Sequence, residues 1–236
     1  MAKFSVENVR AESAIALQDT TSDYSVGLCQ SFADTLGRLG SRAPAPVSYK
    51  QGDTDFTAQL RKIREMRVGA VFIPGYPPEL PLIVNQARQL GLSAVLLGAD
   101  GWDNEDLVAN SGANLKGTYF SAAFSTEVAT PPLEEFLALA AKNGVDNPGT
   151  FEALGYDSMG LVAEAVSRAP LEPGMTLKAY RREIRDALAA ISNYQGATGT
   201  ITMQSSGDPI KSLVVLRYDV DESGKVVRRF VKVVNH

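Results

Sequence analysis

Apolar positions in the first half of the chain follow two rhythms. Short continuous runs at Ser13–Leu17, Pro46–Tyr49, Ala70–Ile73, Ala94–Leu97 and Gly117–Phe124 read as buried strands. Between them, apolar residues recur every three or four positions. Leu28, Phe32, Leu36 and Leu39 form one helical face, stopped by Gly40. Phe56, Leu60, Ile63 and Met66 form a second, with Gly69 as its stop and Thr54 or Asp55 as its cap. Leu80, Ile83, Val84, Ala87 and Leu90 form a third, before Gly91. A short helix is expected around Glu105 to Asn110, and a short amphipathic one at the start, with Phe4, Val6 and Val9 apolar. Five strands alternating with helices predict an α/β fold with a doubly wound parallel sheet. In such sheets ligands bind beyond the carboxyl ends of the strands. Those ends carry Gln18 to Tyr24, Gly52 to Asp55, Pro74 to Pro78 and Gly98 to Asp103.

The second half has a different pattern. Pro131-Pro132 opens a helix that runs to about Asn143. A second helix is expected from about Thr150 to Ala169, with Phe151, Leu154, Val162 and Val166 apolar. A third, Leu177 to Ile191, carries Leu177, Tyr180, Ile184, Leu188 and Ile191. Strands follow at Gly199–Met203, Ser212–Tyr218 and Val226–Val234, the last two joined by a turn at Asp221–Gly224. Ser125–Thr130 and Asn193–Ala197 are the linker candidates. The expected division is an α/β domain of residues 1–125 with 199–236, and a helical part of residues 126–198.

Composition narrows the chemistry. The 236 residues carry 23 Lys and Arg against 27 Asp and Glu, a net charge of -4, so there is no positive surface to hold nucleic acid. The single cysteine, Cys29, cannot form an intrachain disulfide or a Cys-rich zinc site, and it sits beside Phe32 on an apolar helical face as an inert thiol. The single histidine is the last residue, His236, a poor place for a general base. Neither G-x-G-x-x-G nor G-x-x-x-x-G-K-[ST] occurs, so no nucleotide cofactor is expected, nor any other cofactor or metal. No apolar stretch reaches the length of a membrane span, and the first ten residues lack the apolar core of a secretory signal.

The strand-end loops hold the candidate groups. Gly98-Ala99-Asp100-Gly101-Trp102-Asp103 places two carboxylates and the only tryptophan at one strand end. Asp100 is the candidate partner for a ligand ammonium, a contact worth about 1.5–3 kcal/mol. Asp103 reads as a helix cap and Trp102 as core filling, with a share in shaping the pocket. Gly75-Tyr76-Pro77-Pro78-Glu79 sets an aromatic directly after a buried strand, where Tyr76 either stacks on a cation or stiffens the loop. Glu79 reads as a partner of its helix dipole. In Asp19-Thr20-Thr21-Ser22-Asp23-Tyr24, Ser22 or Asp23 caps the helix and Tyr24 faces the strand ends, with Asp19 a further candidate.

At these loops the chain resembles the type I periplasmic binding proteins of the leucine/isoleucine/valine-binding family, the solute receptors of branched-chain amino acid ABC transporters. The matching segments are AIALQDTTSDYSVGL, GDTDFTAQLRKIR, VFIPGYPPEL with QARQLGL, LGADGWD, GTYFSAAFS and FEALGYDSMGLVAEAV, in family order and spacing. The resemblance implies a two-lobed clamp that closes on a free amino acid. It places Asp100 at the acidic position that pairs with the α-ammonium, Tyr76 beside that ammonium and Tyr24 flanking the ligand, with Gly75, Trp102 and Asp19 around them. Asp100 is shorter than the Glu often found there. Family members are typically much longer, and this chain begins where their second lobe normally begins. The expected partners are therefore a small-molecule ligand, an ABC permease or a missing first lobe, and a second copy as a homodimer. The expected location is the periplasm or cell surface.

Two other functions compete. A small α/β enzyme would work through Asp19, Asp100 or Asp103, but no histidine or metal cluster supports it. A stand-alone dimeric sensory module would keep the receptor lobe without transport.

Overall fold

The computed structural model describes residues 1–146, 148–170 and 172–234. His236 lies outside the described residues. Two compact units form: unit 1 is Met1–Ala122 with Val215–Val231, and unit 2 is Ala123–Val214 with 232–234.

Unit 1 opens with α1 (Ala2–Glu7), which buries Phe4 against the ring of Tyr119, centroids 5.1 Å apart. The alternation that follows is β1 (Ala14–Asp19), α2 (Asp23–Arg38), β2 (Val47–Tyr49), α3 (Thr57–Glu65), β3 (Ala70–Phe72), α4 (Glu79–Gln89), β4 (Val95–Gly98), α5 (Glu105–Ser111) and β5 (Tyr119–Ala122). A 3-10 turn, Asp100–Trp102, joins β4 to α5. The β1–β2, β1–β3, β3–β4 and β4–β5 pairs are all parallel. Burial is near-continuous rather than alternating along the central strands β1, β3 and β4, as expected when helices cover both faces. Apolar helix positions supply that cover: Phe32 of α2 stacks on Phe72 of β3 at 4.6 Å.

Local chemistry ends the helices where the sequence indicates, with four differences. One is at α3, whose N-cap is Phe56 rather than Thr54 or Asp55, with Asp55 instead accepting from the Thr57 N–H. Ser22 caps α2, its hydroxyl accepting from Ser25 N–H. Gly91, at φ +64°, takes the left-handed position after α4. The chain after α3, however, turns at Arg67, at φ +51°, and Gly69 serves close packing instead, since a Cβ there would lie 2.9 Å from that of Ala11. Asn104, not Asp103, caps α5, accepting from Asp106 and Leu107 N–H. Glu79 is buried, and its carboxylate accepts from Gly52 N–H at 2.7 Å rather than merely facing a helix dipole.

Unit 2 contains α6 (Pro131–Lys142), α7 (Thr150–Arg168) and α8 (Leu177–Ala189), then β6 (Tyr194–Gly196), β7 (Gly199–Met203) and β8 (Pro209–Lys211) in a three-stranded antiparallel sheet. Leu133, Phe136, Ala153 and Ala197 form its core, with Phe124, Leu137 and Tyr156 packed around them. The segment read as a second linker, Asn193–Ala197, therefore contains a strand. β8 escapes the sequence pattern because it is three residues long and opens with a proline, which only an edge position tolerates. Strands β6 to β8 belong to unit 2, whereas the sequence reading groups residues from 199 onward with 1–125. Asp157 of α7 is buried and fastens this unit: its carboxylate accepts from Ala197 N–H, Thr198 N–H and the Thr198 hydroxyl at 2.6–2.9 Å.

The chain ends with β9 (Leu213–Val220) and β10 (Val226–Val234), joined through the turn closed by Asp221 and Lys225. They extend the large sheet to seven strands in the order β10-β9-β5-β4-β3-β1-β2.

Candidate ligand-binding site

Four adjacent strands, β4, β3, β1 and β2, end on the same side of unit 1 because they run parallel. Their exits carry Asp100, Tyr76, Tyr24 and Tyr49. Asp100 opens the 3-10 turn after β4 and is partly exposed. The hydroxyl of Tyr24, in the first turn of α2, donates to Asp100 Oδ1 at 2.6 Å. The Tyr24 and Tyr76 rings are tilted neighbours, with centroids 4.9 Å apart. The structure thus brings together the three side chains from three separate loops.

Electrostatics define what this cluster can hold. Burial and the hydrogen bond to Asp100 push the Tyr24 phenol well above its ordinary value, so it remains a donor at neutral pH. Tyr76 is pushed the same way, by burial and then by the charge of Asp100. Asp100 itself has no salt-bridge partner among the described residues, although its neighbour Asp103 has one in Arg228. A carboxylate beside two neutral phenols, with no cation paired to it among the described residues, has the chemistry to accept a positive group.

Glycines let the loops approach. A Cβ on Gly101 would stand 2.3 Å from the Gly75 carbonyl oxygen and 2.8 Å from the Tyr76 ring. Gly75 is buried, and a Cβ there would come to 3.0 Å from the Tyr49 hydroxyl. Gly75 therefore shapes the site through its backbone.

Two candidates are placed differently from the rest. Trp102 is fully buried and offers no face to a ligand; its indole N–H donates to the Ile73 carbonyl at 2.8 Å, and its ring occupies the space a Cβ on Gly98 would need. It is core, as half of the sequence reading holds, and acts on the site only by supporting the turn. Asp19 is buried, and its Oδ1 accepts from the Thr21 N–H and hydroxyl, which commits that oxygen to shaping the β1–α2 loop. Tyr49, absent from the sequence candidates, lies against Gly75. Burial, with Asp19 and Glu79 nearby, raises its phenol too. Its only sequence signal is its place at the end of a weak strand.

Residues 1–225 match the family model described as periplasmic binding protein. The chain belongs to that family. Its relatives place it among the type I, leucine/isoleucine/valine-binding members. The Leucine-, isoleucine-, valine-, threonine-, and alanine-binding protein of Pseudomonas aeruginosa is 26% identical over 208 residues, 87% of this chain and 52% of its own. The crystal structure of a leucine binding protein from Thermotoga maritima superposes with a TM-score of 0.86 at 31% identity, covering 100% of this chain and 64% of that one. The branched-chain amino acid transporter substrate binding protein LivJ of Streptococcus pneumoniae, solved with isoleucine, gives 0.76 at 31% identity, covering 98% and 63%. The chain spans about half the length of the curated relatives it matches, 52% to 59% for the first three. No helix among the described residues is long and apolar enough to cross a membrane.

Proposed function

We propose that this chain is the ligand-binding part of an amino acid receptor, and that unit 1 holds the ligand's ammonium end without catalysis. The observation that carries the reading is the Asp100 carboxylate, which has no salt-bridge partner among the described residues and is flanked by the Tyr24 and Tyr76 phenols. In this reading Asp100 takes the α-ammonium, Tyr76 lies beside it, and Tyr24 holds one carboxylate oxygen so that the other is aimed at the ligand. The family and the relatives' printed names support a branched-chain or related amino acid, delivered to an ABC permease from the periplasm or cell surface.

Calorimetry against leucine, isoleucine, valine and unbranched amino acids tests this. Binding is expected in the wild type, lost in Asp100→Ala and weakened in Tyr76→Ala. No heat at about millimolar ligand, where the binding free energy would already be about −4 kcal/mol, overturns autonomous binding.

A second feature bears on partners. Phe151, Met159, Val162 and Val166 of α7 and Leu177 of α8 are 38% to 68% exposed. Leaving such side chains wet forfeits about 1.5–3 kcal/mol each when fully exposed. We infer that this stripe is covered by a partner, either the remainder of a first lobe or a second copy in a stand-alone sensory dimer. Light scattering distinguishes them: a concentration-dependent dimer that Met159→Glu dissociates favours the second copy, and a dye-binding monomer favours the lobe.

A further inference from the structure

The turn that presents Asp100 is closed by its own backbone, Trp102 N–H donating to the Ala99 carbonyl and Asp103 N–H to the Asp100 carbonyl, both at 3.0 Å, but it is not held by its own loop alone. Its far end, at Trp102 and Asp103, is fastened by the C-terminal strand pair, more than a hundred residues away in sequence. The hydroxyl of Tyr218, on β9, donates to the Trp102 carbonyl at 2.6 Å. Tyr218 is fully buried, stacks on Phe120 with centroids 4.7 Å apart, and has its phenol pushed up to about 12 by burial, so it keeps the proton it donates. Arg228, on β10, lies with Nε 2.9 Å from Asp103 Oδ1, an ion pair rather than an aligned hydrogen bond. Its Nη2 donates to Glu105 Oε1 at 2.8 Å, and its guanidinium sits 5.8 Å from the centre of the Tyr218 ring. Two residues before this clamp stands the Asp100–Tyr24 bond.

Two consequences follow from this arrangement. Arg228 neutralises Asp103, a second carboxylate three residues from Asp100, and so leaves Asp100 as the turn's free negative charge. Two hydrogen bonds hold the turn at Trp102, one from the Tyr218 hydroxyl to the Trp102 carbonyl and one from the Trp102 indole to the Ile73 carbonyl, the latter at the root of the Tyr76 loop. We propose that Tyr218 and Arg228 are positioning residues that set the orientation and charge of the Asp100 turn, so that the C-terminal hairpin tunes ligand affinity from outside the site. The effect on affinity rests on the reading of Asp100 as the ammonium's partner; the effect on the turn does not.

The test uses the full chain with ¹³C-labelled tyrosine, comparing wild type, Arg228→Gln, Arg228→Lys, Tyr218→Phe and Asp100→Asn, with Tyr24→Phe to assign the Tyr24 signal. In ligand-free protein, the Tyr24 ring-carbon resonance is expected to move in Arg228→Gln and Tyr218→Phe toward its position in Asp100→Asn, with Arg228→Lys returning part of the way. A residue that merely stabilised the fold would leave that resonance in place in the folded protein. Amino acid affinity is expected to fall roughly tenfold in Arg228→Gln, as for coupled neighbouring groups. A Tyr24 resonance unmoved in both Arg228→Gln and Tyr218→Phe overturns the proposal. Tyr218→Phe removes one oxygen and decides the matter if Arg228→Gln does not fold. Wild-type protein that binds no amino acid refutes the receptor reading instead, and the Tyr24 resonance still decides whether the hairpin sets the turn.

Discussion

Gly101→Ala separates the site from the fold around it. The added methyl carbon would stand 2.3 Å from the Gly75 carbonyl oxygen, against about 3.3 Å for a close carbon–oxygen contact, so the loops must part by about 1 Å. The Tyr76 ring, also within 3 Å and 40% exposed, can swing away. The Gly75 oxygen belongs to the backbone and cannot. Asp100 and Tyr76 must therefore move relative to each other, while Trp102 beneath keeps its bond to Ile73. Overpacking of this kind costs about 1–3 kcal/mol, or roughly 2–12 °C in melting temperature for a chain of this size. If the ammonium loses one of its contacts, worth about 1.5–3 kcal/mol, affinity falls roughly 10- to 150-fold. The assay is calorimetry with the best amino acid ligand, alongside a melt followed by tryptophan fluorescence. Trp102 is the only tryptophan and is buried in unit 1, so its signal reports that unit alone. Unchanged affinity in a folded Gly101→Ala protein would refute the spatial link between the two loops.

Two further outcomes test the rest of the molecule. Asp157→Ala strands the buried N–H groups of Ala197 and Thr198 and should destabilise unit 2 by about 3–5 kcal/mol in urea unfolding, with Asp157→Asn milder because it keeps one acceptor; a change within about 0.5 kcal/mol would contradict the role given to that carboxylate. Burial pushes the Cys29 thiol from 9.0 up to about 11. The unfolded chain thus loses this proton first, and the stability it contributes is full below pH 9 and declines as pH rises toward 11. Comparing urea midpoints of wild type and Cys29→Ala across pH 8–11 checks this: the wild type should show the steeper fall.

The parallel sheet was legible because local signals agree. The apolar runs at Ala70 and Ala94 are too short for helices, and the segments between them repeat every three or four residues with a capping residue or a glycine at an end. Unit 2 was less legible. The strand at Tyr194–Gly196 lies in a polar segment whose order comes from a side chain of α7: Asp157 gathers the N–H groups just beyond it, and no pattern within the segment announces that bond. α8 shows the reverse problem. Its amphipathic period is strong, yet none of its residues is buried, because periodicity tells which side of a helix is apolar and not what meets it.

For the site, position at a strand end was enough to nominate Asp100, Tyr76 and Tyr24, since parallel strands deliver their exits to one side. Strand-end position favours Asp100 as the ligand group and Asp103 as a cap, but both are aspartates in one six-residue loop, and no signal within the loop says which of them carries a partner. What separates them is Arg228, 125 residues beyond Asp103, which pairs with one and leaves the other to Tyr24. The same long reach explains why Trp102 looked ambiguous. An aromatic ring beside a candidate carboxylate is as suited to a pocket wall as to a core, and only the Ile73 carbonyl and the Tyr218 hydroxyl, arriving from two other strands, fix it inside. In this reading the candidate ligand groups lie in the loops, while the partners of Trp102 and Asp103 beside Asp100 come from strands distant in sequence. Screening variants of β9 and β10 should therefore change amino acid affinity at positions where no ligand atom reaches.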